Sequence, residues 1–361
     1  MKIKHAILGS ICLSSTALQA APNDLFLQAK DYLSKHNNAL HITASVDAVN
    51  DTLDLFDIRE SEGVTDKSAG DYQGFHIAAQ YDLNPQWSIE GSLWQRELEY
   101  SKDTNKIQSG LLAISYAPDL HLTSNSALKL RASIWGNTAD QLDKTTATRV
   151  NTYNFEQVKV NDPEDIQLQF DGIFSHKIDH MNQINIFAQV GYSEVSVGRL
   201  DLQTRYSGCP LYVNIDQNNQ YKAQSLSTCP TTYSFSGDAT DFGLQVQKDL
   251  NYTSYYAGFG GSWNLRYRKF ESQLAYSYQR LWRQDIDDRI TNFGNKAIKD
   301  NHSLGAKFSY DIHPKITPFF KAELYQNNFV GQIPFLYNGI TASRLNKRYG
   351  LASFGVAIRH F

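Results

Sequence analysis

The chain has 361 residues, with 34 Lys and Arg against 37 Asp and Glu and a formal net charge of −3. That balance, with no basic cluster, excludes a polyanion partner, so no nucleic acid is expected. Tyr and Phe number 21 and 19, whereas Cys and Met number 3 and 2, proportions that suit a sheet with one face in lipid and the other wet.

The first twenty residues read as an export signal. Lys2 and Lys4 precede the apolar stretch Ala6 to Leu18, and small residues follow at Ala20 and Ala21. The stretch is too short to span a bilayer. Cleavage is expected after Ala20, with Leu18 an imperfect residue at the −3 position. Cys12 does not mark a lipoprotein, because Ile11 stands where a small residue is required. Removing residues 1–20 removes two lysines and takes the net charge from −3 to −5. After the signal there is no run of eighteen apolar residues, hence no transmembrane helix is expected.

Leu25, Phe26, Ala29, Tyr32 and Leu33 recur at helical spacing behind Asn23 or Asp24, which predicts a short amphipathic helix over 24–35, ended by Asn37 and Asn38. From Leu40 the period changes to two. Leu40, Ile42, Ala44, Val46 and Ala48 alternate with His41, Thr43, Ser45 and Asp47. The same dyad returns at Phe75–Leu83, Leu128–Ile134, Ile166–Phe174, Leu304–Ile312 and Phe320–Leu324. Each stretch runs about ten residues, the length a tilted strand needs to cross hydrocarbon.

Three near-copies punctuate the strands: Tyr81-Asp-Leu-Asn-Pro85, Tyr116-Ala-Pro118 and Tyr310-Asp-Ile-His-Pro314. Each sets an aromatic before a tight turn, as an interfacial girdle requires. Residues 179–182 and 267–269 form two further short connections. The intervening segments 51–70, 139–165, 199–252, 284–302 and 329–348 are long and mostly polar; only the one near 101–105 is short. Twelve strands are expected, at about 39–50, 71–83, 86–100, 105–117, 127–138, 166–178, 183–198, 253–266, 270–283, 303–312, 316–328 and 349–361. Phe242, Leu244 and Val246 alternate at 239–249 and read as an extension of a long strand. A further strand near 148–160 would make fourteen.

The dyad strands, the Tyr-turn repeats, the loop asymmetry and the terminal aromatic Phe361 together resemble a Gram-negative outer-membrane β-barrel. The resemblance is to the architecture, over residues 39–361, and singles out no family within it. It implies an all-β chain in the outer membrane, with lipid, lipopolysaccharide and the barrel assembly machinery as partners. Segment 21–38 then either enters the barrel as a small plug or lies in the periplasm. It is far too short for the plug domain of a TonB-dependent transporter. Arg359, Ala357, Gly355 and Ser353 are in phase with Phe361, whereas Phe354, Val356 and Ile358 are on the opposite phase. The last strand is therefore expected to carry a bulge or to present His360 in the girdle.

Within a barrel, ionisable side chains face inward. Alternation puts Glu90, Lys129, Arg131, Asp171, Arg266, Glu271, Lys307, Lys321 and Glu323 in the lumen, either as a cross-barrel salt-bridge network or as a selective lining. Trp94 and Tyr256 narrow it. Cys209 and Cys229 are expected to form a disulfide closing a hairpin that turns at Asn218-Asn219. Enzyme signatures are weak. There is no His-x-Ser, and Asp179-His180 falls in a short turn. The acidic groups Asp285, Asp287, Asp288 and Asp162, Glu164, Asp165 match no calcium-loop spacing and read as solvated loops. No metal, cofactor or catalytic residue is expected. The leading expectation is a channel for small polar solutes. The alternatives are a surface interaction or adhesion protein on a barrel mount and, less strongly, a hydrolase.

Overall fold

Strands with period-two alternation pair edge to edge until the sheet meets itself. The computed structural model describes residues 24–33, 40–49, 72–100, 103–120, 123–144, 148–150, 153–291, 296–327, 331–339 and 349–360. The export signal, residues 34–38, the 51–70 connection and Phe361 lie outside the described residues. Strands are numbered in chain order through the whole molecule. Twelve make a closed antiparallel barrel: β1 (Leu40–Val49), β2 (Tyr72–Asp82), β3 (Trp87–Tyr100), β4 (Asp103–Tyr116), β5 (Ser126–Thr138), β10 (Glu164–Lys177), β11 (Asn182–Ser196), β16 (Tyr252–Tyr267), β17 (Phe270–Arg283), β18 (Asp300–Tyr310), β19 (Ile316–Tyr325) and β20 (Tyr349–His360).

The two faces are inverted relative to a soluble protein. Leu93, Leu112, Phe170, Val190, Phe259, Leu304 and Phe354 point outward, Leu112 with 67% of its surface exposed. Their strand neighbours Ser92, Asp171, Gln189, Ser303 and Ser353 point inward and are buried, Asp171 completely. Apolar surface of this extent in water would oppose folding; in hydrocarbon it is solvated. The protein is an outer-membrane β-barrel.

Short turns join the strands at one end. Asn84 Oδ1 accepts from the backbone N–H groups of Gln86 and Trp87, and Asp179 Oδ1 accepts from those of Met181 and Asn182 at 2.7 and 2.8 Å. These bonds, the Met181 amide first, hold the exposed Asp179 carboxyl below the usual carboxylate range. Asp179-His180 is thus turn architecture.

The long connections fold together into a cap. Strands β6 (Gln141–Lys144), β9 (Gln157–Asn161), β12 (Arg199–Tyr206), β13 (Cys209–Ile215), β14 (Gln220–Ser225) and β15 (Ser234–Asp238) form a six-stranded sheet, ordered β15-β14-β13-β12-β9-β6. Two shorter strands, β7 (Thr148–Val150) and β8 (Tyr153–Phe155), pair beside it. Leu200, Leu202, Val213 and Ile215 of the sheet belong to one apolar cluster with Leu244, Val246, Ile286, Ile290, Phe335 and Tyr337 from other connections. The β13–β14 hairpin turns at Asn219, whose φ of 62° is left-handed, and Asp216 Oδ1 accepts from the amides of Asn218 and Gln220. Cys209 and Cys229 are joined, with Cα atoms 5.9 Å apart.

Four expectations are corrected. Residues 148–160 add no spanning strand; β7, β8 and most of β9 lie there, within the cap. Residues 239–249 form a 3₁₀ turn, Ala239–Phe242, and a short helix, Val246–Asp249. Asp238 caps the first, Gly243 at φ 77° stops it, and Asp249 Oδ2 accepts from Gln245 N–H at 2.6 Å. Local capping there overrides the alternation. Of the two readings of the last strand, the bulge is absent within the described residues, because β20 pairs one for one with β1, from Leu40↔His360 to Ala48↔Ala352, and with β19, from Ile316↔Ile358 to Tyr325↔Tyr349; the His360 side chain lies outside the described residues. The fourth concerns the expected helix: Asp24–Leu33 has turns, bends and irregular backbone instead. Its amides find partners that a helix would forgo. Asp24 and Asp31 accept from the amides of Phe26 and Leu33, both at 2.9 Å, and the barrel wall takes those of Ala29 and Tyr32.

Candidate functional site: the barrel interior

The nine ionisable residues that alternation places inside fall into three groups on the wall. Arg131 on β5 sits between Glu90 on β3 and Asp171 on β10. Its Nε and Nη2 reach the two Glu90 oxygens at 3.2 Å, and its Nη1 reaches Asp171 Oδ2 at 3.0 Å. Gln169 Nε2 donates to the other Asp171 oxygen at 2.7 Å, and Tyr256 OH donates to Gln169 Oε1 at 3.1 Å. Tyr256 lies flat over the wall because Gly191 faces it, where a Cβ would come within 2.2 Å of the ring. Lys129, two residues along β5, is buried in the fields of Asp82 and Glu90. Arg131, held by two carboxylates, has a partner at each guanidinium nitrogen, which is what makes its burial tolerable.

The second group lies at the short-turn end. Arg266 Nη1 reaches Glu271 Oε2 at 3.0 Å and its Nη2 contacts Asp311, which also accepts from Thr317 Oγ1 at 2.6 Å and Arg359 Nη1 at 3.4 Å. Burial pushes the Asp311 carboxyl up, but Thr317 and the two guanidinium groups outweigh it and hold it below the usual range. The third group is on β18 and β19. Lys307 and Lys321 are direct cross-strand partners, and Lys321 Nζ reaches Glu323 Oε2 at 2.8 Å.

Aromatic and cationic side chains further from the short-turn end also point into the bore. Trp94 Nε1 donates to Asp47 Oδ2 at 2.8 Å, and the Arg96 guanidinium stacks 3.9 Å above the Trp94 ring and 5.6 Å from that of Trp135.

Among the described residues, two chain segments enter this space. From the short-turn half, Asp24–Leu33 runs inside the barrel. Leu25 and Phe26 pack on Ala275 of β17 and on Gly305 of β18; Leu27 and Ala29 pack on Ile173 and Phe187. Ala29 N–H donates to Ser175 Oγ and Tyr32 N–H to Gln183 Oε1, both at 2.8 Å, while Gln183 Nε2 donates to Lys30 O at 2.7 Å and Asn264 Nδ2 to Gln28 Oε1 at 3.1 Å. From the other end, residues 331–339 of the β19–β20 connection fold inward and are buried throughout. Gln332 O accepts from Trp135 Nε1 at 3.0 Å and Asn137 Nδ2 at 2.9 Å, Phe335 N–H donates to Asp165 Oδ2 at 3.2 Å, and Tyr252 OH donates to Pro334 O at 2.7 Å. Tyr337 OH donates to Asp287 Oδ1 at 2.7 Å, and burial raises its pKa, so the hydroxyl stays protonated as a donor.

Asp165 and Asp287 are thus buried partners of this segment, not the solvated loop acids expected from sequence. Among the described residues no three or more His, Cys, Asp or Glu side chains converge as metal ligands. Ser126 Oγ lies 2.9 Å from His176 Nδ1, but the pair sits on the outward phase of the short-turn rim, where it ties β5 to β10.

Sequence reasoning missed Arg96, Asp311, Arg359, Asp165 and the inward segment 331–339. For the first two the signal was weak. Arg359 showed itself by its phase opposite Phe354 and Ile358. Ile333-Pro-Phe-Leu-Tyr337 is an apolar run inside a connection read as polar.

No protein-family model matches the sequence, and no curated protein matches it. Among solved structures, the translocator domain of the autotransporter NalP from Neisseria meningitidis is similar over 91% of this chain and 90% of its own, with 8% identity and a TM-score of 0.46. The β domain of the Bordetella autotransporter BrkA is similar over 89% of this chain and all of its own, with 10% identity and a TM-score of 0.45. LpxR from Salmonella typhimurium covers the same shares, with 9% identity and a TM-score of 0.43.

Proposed function

We propose that the barrel is a gated conduit for small polar solutes, closed by Asp24–Leu33 and narrowed, but not closed, by residues 331–339. The observation that supports it most directly is what fills the bore. The wall is lined along its height by charged and amide side chains, and much of the filling is supplied by two chain segments rather than by the wall itself. A barrel that only mounts loops needs no such division. The experiment is planar-bilayer recording of the full chain and of a variant lacking 24–33. Rare, brief openings are expected in the first and sustained conductance in the second; two equally silent traces would refute the conduit.

A second reading rests on the cap. A six-stranded sheet, stapled by a disulfide and packed on one apolar cluster, is more structure than a mouth needs and suits recognition at the cell surface. Cells displaying a variant with β13–β14 excised would lose adhesion or ligand capture on that reading and keep solute uptake on the first. We assign no catalytic residue.

A further inference from the structure

Lys307 on β18 and Lys321 on β19 stand directly opposite each other and both point inward. Like charges opposite one another on one sheet face repel, and the arrangement persists only where anions lie between or beside them. The wall supplies Glu323 against Lys321 at 2.8 Å, with Glu271 and Asp47 within electrostatic reach. The remaining carboxylate is not part of the wall. Asp24 of the inserted segment is buried and lies in the fields of Lys321 and Lys307, with Arg131 beyond. The fold builds a seat for it. Gly305 is two residues from Lys307 on the same face and leaves the gap into which Leu25 and Phe26 fit; a Cβ there would come within 2.9 Å of both side chains. Lys307 is further steadied over the Phe319 ring at 5.0 Å.

We propose that the Lys307–Lys321 pair is the solute-recognition site of the conduit, that Asp24 occupies it in the closed barrel as a tethered stand-in, and that the solute it takes is a small carboxylate. The chemistry is that of competition. A carboxylate arriving from solution offers the lysines the group that Asp24 offers, so it favours withdrawal of the segment by binding the emptied site and not the filled one. The inference rests on the conduit reading and refines it.

The test is the reversal potential in a potassium chloride gradient, with acetate as the carboxylate probe. The barrel lacking 24–33 is expected to prefer chloride over potassium by about threefold or more, and acetate is expected to block its chloride current. Lys307→Gln with Lys321→Gln in the same background is expected to bring the ratio near one and abolish the block, while Lys307→Arg with Lys321→Arg keeps both. In the full chain, Asp24→Asn, which leaves the wall untouched, is expected to raise the open fraction. A conducting barrel that is unselective or prefers cations, or whose selectivity ignores the glutamine pair, would overturn the site and leave the conduit standing. A barrel that never conducts without 24–33 would overturn the conduit itself and the site with it.

Discussion

Replacing Gly305 with Leu should unseat the 24–33 segment without altering any charge. Leu25, Phe26, Leu27 and Leu33 are each more than nine-tenths buried, contributing about 2 kcal/mol apiece by area. The four hydrogen bonds through Ser175, Gln183 and Asn264 add about 1 kcal/mol each. Ordering ten residues opposes this with roughly 10–20 kcal/mol, the same order as the gross attraction of about 12 kcal/mol. The seat is therefore marginal, and small steric changes move its population. A Cβ at position 305 meets Leu25 Cδ1 and Phe26 Cζ at 2.9 Å, and the rest of a leucine side chain needs the space Phe26 fills. Overpacking of this kind costs about 1–3 kcal/mol, hence a roughly 5- to 150-fold shift toward the unseated state. Single-channel open fraction in planar bilayers reads that shift directly. Gly305→Ala, which needs only the far ends of two side chains to move, should fall between. An unchanged open fraction in Gly305→Leu, in a barrel that still opens when 24–33 is deleted, would refute the assigned seat.

Three further outcomes follow from the wall and the cap. Arg131→Met strands Glu90 and Asp171 and should destabilise the barrel by about 3–5 kcal/mol in urea unfolding from micelles, whereas replacing all three residues by Leu should recover most of the loss; equal losses would show that the pair is not the source. Asp311 is held below the ordinary carboxylate range, so its ionised form stabilises the fold at pH above about 4 and that contribution is lost as pH falls through the lowered value. Asp311→Asn should therefore be less stable than the parent at pH 7 and converge with it in strong acid, a gap that persists there arguing against the linkage. Cys209→Ser with Cys229→Ser removes a closure worth roughly 3 kcal/mol for twenty residues. Limited proteolysis should then cut within β13–β14 while the barrel's melting temperature stays put; a lower barrel melting temperature would mean that cap and barrel unfold as one unit.

The barrel was legible because a strand with lipid on one side and a wet bore on the other writes its two environments on alternate residues. Ile166, Leu168 and Phe170 against Gln167, Gln169 and Asp171 is such a record, and no loop or partner is needed to read it. The cap hairpin was legible for a local reason, Asn218-Asn219 following the alternating Leu211, Val213 and Ile215, with a cysteine on each side. What was not legible depends on partners distant in sequence. The spacing of Leu25, Phe26 and Ala29 records packing on two neighbouring stretches of the wall, β17–β18 and β10–β11, and the amides that a helix would satisfy internally are satisfied by Ser175 and Gln183, some 150 residues away. Asp165 reads as a loop acid until residues 331–339 are seen to fold back onto it.

The central claim is that 24–33 occupies and closes the bore, and a reversible cross-link tests it within one preparation. Ala29 N–H lies 2.8 Å from Ser175 Oγ, so Ala29→Cys with Ser175→Cys, in a chain carrying Cys209→Ser and Cys229→Ser, brings two thiols together across the seat. Oxidised, the barrel should be silent in a planar bilayer; on adding reductant to the same membrane, openings should begin and recur. Conductance that is the same before and after reduction would contradict the account.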